Sequence, residues 1–165
     1  MVKKLLKILL VLALAGVAVW GVRLLFPGDE ARIRRNLEEL SELATFTGRE
    51  GNFKRVANAN GLSEHFATNA EIAINVPGSG VGTLNGRGEI RQRAFAAMTQ
   101  GRAFQVQFYD INIVVADDQR TATAEMTAKI APGDGDFIVQ ELRFHLSKAD
   151  SGWVIERIET METFQ

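Results

Sequence analysis

Between Phe104 and Ile158 apolar and polar residues alternate in four successive runs, each closed by turn-forming residues. A period of two is the signature of a strand with one buried face, so this stretch reads as four strands joined by hairpins. In the first run Phe104, Val106 and Phe108 share one parity, while Ile111, Ile113 and Val115 take the opposite one. One extra residue in a ladder produces that flip, which predicts a β-bulge at Tyr109-Asp110. Asp117-Asp118 turns the chain into a strand with Ala122, Ala124, Met126, Ala128 and Ile130 on one side and Thr121, Thr123, Glu125, Thr127 and Lys129 on the other. After Pro132–Gly135 come Ile138, Gln140, Leu142, Phe144 and Leu146, and after Ala149–Gly152 come Trp153, Ile155 and Ile158. The last run changes parity near Glu156-Arg157, a second predicted bulge.

Helical spacing dominates upstream. Ile33, Leu37, Leu40 and Leu43 recur on one face of a helix that Asp29 is placed to cap and Thr47-Gly48 to end. A shorter helix is expected to bury Phe53, Val56, Ala57 and Leu62, with an interruption at Asn60-Gly61. Leu62–Phe66 reads as one further turn. Ala70–Val76 alternates as a strand, Val81–Leu84 as a short return, and Gly88–Thr99 as a third helix stopped by Gly101. The fold class is therefore α+β: a strongly curved antiparallel sheet wrapped on about three helices, a cone whose inner face buries against helices because no second sheet is available.

Residues 1–28 have a different character. Leu5–Phe26 spans 22 residues in which Lys7 and Arg23 are the only charges. As a helix it would be about 33 Å long, enough to cross a hydrocarbon core of ~30 Å. Lys3, Lys4 and Lys7 favour the cytoplasmic side, which puts the body, residues 29–165, on the outer (periplasmic or extracytoplasmic) side of a membrane. A cleaved signal peptide ending near Ala13-Leu14-Ala15 is the competing reading, and it also exports the body.

Charge and composition exclude several functions. Of the 19 basic residues four precede Gly28, which leaves 15 against 20 acidic ones, about −5 for the body. That balance disfavours nucleic acid. Arg32, Arg34 and Arg35 form a local basic run that is suited to a solvated helix face or to anionic lipid heads. Cysteine is absent, so disulfides, thiolate metal sites and cysteine nucleophiles are excluded. His65 and His145 are far apart without a carboxylate spacing that suggests a metal site. No Gly-x-Ser-x-Gly occurs, and the glycines from Gly78 to Gly82 join strand to strand, without the helix N-terminus that a phosphate cradle needs. No cofactor is expected.

The order helix pair, "HFATNAEIAINV", "LNGRGEIRQRAFA", "FQVQFYDINIVV", "TATAEMTAKI", "FIVQELRFHLSK" and "GWVIERIE" resembles the nuclear-transport-factor-2-like superfamily, which includes ketosteroid-isomerase-like and polyketide-cyclase-like proteins. The likeness covers about 29–164. It rests on the Gly86-Arg87-x-x-Ile90 helix start, the long bent third strand and the Gly152-Trp153-x-Ile155 opening of the last strand. The resemblance implies a cone that hosts enzymes, binding modules or adaptors, so function must come from the site.

The residues offer two functions. One is a membrane-anchored, non-catalytic domain that binds a small apolar ligand through Phe95, Phe108, Met126, Gln140 and Phe144, or pairs with a second copy or an envelope protein through its open sheet face. Gln140 has inward parity, and a buried amide needs a network or a ligand; its place near the strand's start also permits solvent contact. Three alanines on one inner face either leave ligand volume or let a helix approach. The other function is a small-molecule isomerase, dehydratase or cyclase. It would use Asp110, re-aimed inward by the bulge, with Tyr109 as a hydrogen-bonding partner. The bland alternative for Asp110 is that it satisfies backbone groups freed at the bulge.

Overall fold

The computed structural model describes residues 28–76, 80–133, 135 and 137–161. The expected membrane segment falls in residues 1–27 and so lies outside the described residues. Among the described residues no helix is long and apolar enough to cross a membrane. The elements are α1 (Asp29–Ala44), α2 (Asn52–Glu64), β1 (Phe66–Val76), β2 (Gly80–Asn85), α3 (Gly86–Thr99), β3 (Phe104–Val115), β4 (Thr121–Pro132), β5 (Ile138–Ala149) and β6 (Gly152–Thr160).

The six strands form one curved sheet in the order β2-β1-β6-β5-β4-β3. All neighbours are antiparallel except β1 and β6, which run parallel. That exception corrects the all-antiparallel expectation: β1 enters from α2, not from a hairpin. Both bulges stand where the parity flips. Tyr109 faces Thr127 and Asn112 faces Glu125, so two β3 residues oppose one in β4. Asp110 takes up the strain at φ 52°. In β6, Glu156 is the extra residue between the pairs His145–Arg157 and Leu146–Ile155.

Ile33, Leu37 and Leu40 of α1 are buried in one cluster with Ala122, Ala124, Ala128, Met126, Phe144 and Ile155. The alanines leave volume that the larger side chains of this cluster fill. The last turn of α1 is pinned to β3 at both backbone groups of Val106: Ser41 Oγ donates to its carbonyl (2.9 Å) and its N–H donates to Thr45 Oγ1 (3.1 Å). The N-cap is Gly28, not Asp29. Asp29 lies in the first turn, where a negative charge suits the helix dipole. Its carboxylate accepts from Lys148 Nζ (2.9 Å) and Trp153 Nε1 (3.1 Å), and those bonds hold its pKa below the usual carboxylate value.

Helix α2 runs unbroken through Asn60-Gly61. A Cβ at position 61 would meet the Leu43 side chain at 3.4 Å, an ordinary contact, so the position faces α1 and tolerates a small side chain. Its buried residues are Ala59 and Ser63, while Phe53 is 89% exposed and Val56 is exposed. The expected apolar face is therefore wrong, because α2 packs on its small residues. Arg87 explains part of the Gly-Arg-x-x-Ile start of α3. Its Nε and Nη2 donate to the Phe66 carbonyl (2.8 and 2.5 Å), where the β1–β6 register shifts and the ladder loses a donor.

Candidate ligand-binding cleft

The inner face of the sheet is covered by α1 over its middle and left open at one end. There the end of β1 meets β2, the end of β4 and the start of β5 under α3. A cleft of about 610 Å³ results, lined by Ile72, Ile74, Leu84, Phe104, Ile130 and Ile138, with Thr83, Gly82, Pro132, Gln140 and Arg93 completing it. That volume is within the ~300–1,000 Å³ range of small-molecule sites, and the mostly apolar wall is typical of them.

Gln140 is the buried polar group of this wall, 8% exposed. It stands opposite Ala128 on β4, a small neighbour that leaves the amide room. Strand β6 pairs with β5 only as far as Thr160, opposite Leu142. Met161 N–H adds one more bond to the Glu141 carbonyl (2.8 Å); beyond it no strand among the described residues separates β5 from β1, and the Gln140 amide reaches across by donating from Nε2 to the Asn75 carbonyl. Asn75 N–H in turn donates to Thr160 Oγ1 (2.9 Å). The side chain thus faces inward with a protein partner, not solvent alone.

The other residues singled out in the sequence do not converge here. Met126 and Phe144 are fully buried under α1, and Phe108 meets Phe144 edge-on at 5.7 Å between ring centres. These three belong to the core cluster. Phe95 faces the outer side of α3, in a shallow groove with Val56 and Gln92. Asp110 is exposed on the edge strand β3, and Tyr109, 45% exposed, donates its hydroxyl to Gln107 Oε1 (2.7 Å). The bulge turns these two outward and away from the cleft. Reading by parity missed Arg93 as a cleft residue, because the cleft forms only where separate elements meet in space.

The histidines are separate. His65 Nδ1 lies 3.0 Å from Asn36 Oδ1, and Asn36 Nδ2 donates to the Trp153 carbonyl (2.7 Å). That second bond orients the Asn36 amide, so Nδ1 of His65 carries the proton. Burial lowers the His65 pKa, partly opposed by Glu39 and Glu64. His65 borders a second, more polar hollow of about 600 Å³ with Asn36, Glu39, Glu64 and Arg87. His145 sits on the outer sheet face beside Glu159 (3.3 Å). Among the described residues no group of three metal-ligating side chains converges. On that outer face Glu125 pairs with Arg143 (2.8 Å), Arg157 with Glu159 (3.1 Å) and Arg157 with Glu71 (3.4 Å).

A curved six-stranded sheet holding three helices, open at one end, defines the cone of the nuclear-transport-factor-2-like superfamily. Within it, the chain belongs to the SnoaL-like domain family, whose model matches residues 57–159. No curated protein matches the chain. Among solved structures it is similar to an NTF2-like protein with a cystatin-like fold from Novosphingobium aromaticivorans, at 23% identity and TM-score 0.60 over 86% of each chain. It is also similar to an NTF2-like protein of unknown function from Pseudomonas putida, at 12% identity and TM-score 0.60 over 82% of this chain and 87% of that one. A third similar structure is a protein from Novosphingobium aromaticivorans provisionally named scytalone dehydratase, at 15% identity and TM-score 0.58 over 82% and 85%. At these identities the likeness is one of fold.

Proposed function

We propose that this chain is a membrane-anchored, non-catalytic SnoaL-like domain that holds a small apolar molecule at the open end of its cone, on the outer side of a membrane. The observation that carries the reading is the cleft itself: an aliphatic and aromatic wall with one buried amide. Such a surface gains by covering apolar area, at about 25 cal/mol per Å² removed from water. The apolar run at 5–26 supports the anchor.

The enzymatic alternative, an isomerase, dehydratase or cyclase, requires an acid or base facing the bound molecule. Asp110 and Tyr109 are on the outer edge strand, and among the described residues that line the cleft the ionisable one is Arg93. The dehydratase name of one similar structure belongs to that protein.

The test is a calorimetric titration of 2-naphthol into the full-length chain in lipid nanodiscs, corrected for empty nanodiscs. Saturable binding is expected, weakened about tenfold or more by Ile130→Trp, which places an indole in the cleft. Binding left unchanged by that substitution would exclude the cleft.

A further inference from the structure

Two polar groups give the cleft a chemical preference beyond apolarity. The first is Gln140 Oε1. Its amide orientation is settled, since Nε2 must be the atom that donates to the Asn75 carbonyl. Oε1 accepts no hydrogen bond among the described residues, and it is not among the buried polar atoms shut off without a partner. Gln140 is more than nine-tenths buried and lines this cleft, so its oxygen is the acceptor that the wall offers an occupant. A carboxamide oxygen accepts only, so it calls for a hydroxyl or N–H on the occupant.

The second group is Arg93 at the rim, on α3. It pairs loosely with Glu89, Nε to Oε1 at 3.8 Å with 69% of its side chain exposed, and the other Glu89 oxygen is occupied by the Asn85 N–H (2.9 Å). Its two terminal nitrogens have no acceptor among the described residues. They form a planar donor fork suited to a carboxylate or a similar anion. Among the described lining residues Arg93 alone is charged, so it is the cationic group that the described wall offers an anion.

We infer that the occupant is an amphipathic hydroxylated monoanion: an apolar body, a hydroxyl that donates to Gln140 Oε1, and an anionic group at the other end that meets Arg93. This rests on the proposed binding role of the cleft. Hydrogen bonding at the buried end fixes orientation, and the exposed charge pair adds a smaller, salt-sensitive gain.

The experiment compares 6-hydroxy-2-naphthoate, 2-naphthoate and 2-naphthol by calorimetry on the full-length chain in zwitterionic nanodiscs. The hydroxy acid is expected to bind most tightly. Removing its hydroxyl weakens binding about fivefold in the native chain and not in Gln140→Leu. Removing its carboxylate weakens binding about threefold at low salt, and this difference disappears in Arg93→Gln, a surface substitution that leaves the core untouched. Equal affinity for all three probes would overturn the ligand class while leaving an apolar site intact. Failure of every probe to bind would overturn the binding role together with it.

Discussion

The amide of Gln140 donates to the carbonyl of Asn75, joining β5 to β1 past the last described pair of β6 with β5. One side chain bridges the two strands and also forms the polar wall of the cleft. Gln140→Leu keeps the bulk and removes the bond. Asn75 is exposed, so its carbonyl can turn to water. A stability loss of about 1 kcal/mol is therefore expected in urea denaturation, small enough for the variant to fold and serve in binding assays.

The core cluster makes a sharper prediction. Leu37 and Ala124 are both fully buried in it. Leu37→Ala is expected to cost about 2–5 kcal/mol by leaving a cavity, and Ala124→Leu about 1–3 kcal/mol by overpacking. Phe53→Ser, at a residue 89% exposed, is expected to change stability by no more than about 0.5 kcal/mol. Urea midpoints of the three variants check the order.

These positions also show what the sequence discloses. The two bulges were legible because a parity flip within a strand has one physical cause, and Asp110 and Glu156 stand where it predicts. The inward parity of Gln140 was legible for the same reason. The face of α2 was not: its buried residues are Ala59 and Ser63, which carry little hydrophobic signal. Met126 and Phe144 have inward parity like true cleft residues. Whether an inward residue meets a ligand or a helix depends on where α1 lies, which strand periodicity does not encode. Arg93 joins the cleft only through tertiary contact.

Two acid-dependent steps follow from the titrating groups. Burial lowers the folded-state pKa of His65 below its ordinary 6.5. The unfolded chain therefore takes up a proton first, and the contribution of His65 is full above pH 6.5 and lost as pH falls through that value toward the folded pKa. Glu50 behaves separately. Hydrogen bonds from the Thr47 backbone, chiefly, lower it from 4.5 to about 2, so its contribution is full above pH 4.5 and lost toward pH 2. Urea midpoints between pH 7.5 and pH 3 should show both slopes. His65→Gln should remove the upper one alone.

The proposed anchor makes a cellular prediction. The full-length chain should stay in the membrane pellet after a carbonate wash, and protease added to the outer side should digest the body. Replacing Val11 and Leu14 by Arg places two charges in the apolar run, at about 2.5–3.5 kcal/mol each near the centre of a span, and should release the protein. A shortened chain beginning after Ala15 would instead indicate a cleaved signal.

The central claim is that the open end of the cone, and not its packed middle, receives a ligand. The most direct measurement is methyl NMR of isoleucine δ1 groups in the full-length chain during titration with 6-hydroxy-2-naphthoate. The account predicts that Ile72, Ile74, Ile130 and Ile138, which line the cleft, shift together and saturate, while Ile33 and Ile155, fully buried under and against α1, stay in place. Saturable shifts confined to Ile33 and Ile155, or no saturable shift at any of the six, would contradict it.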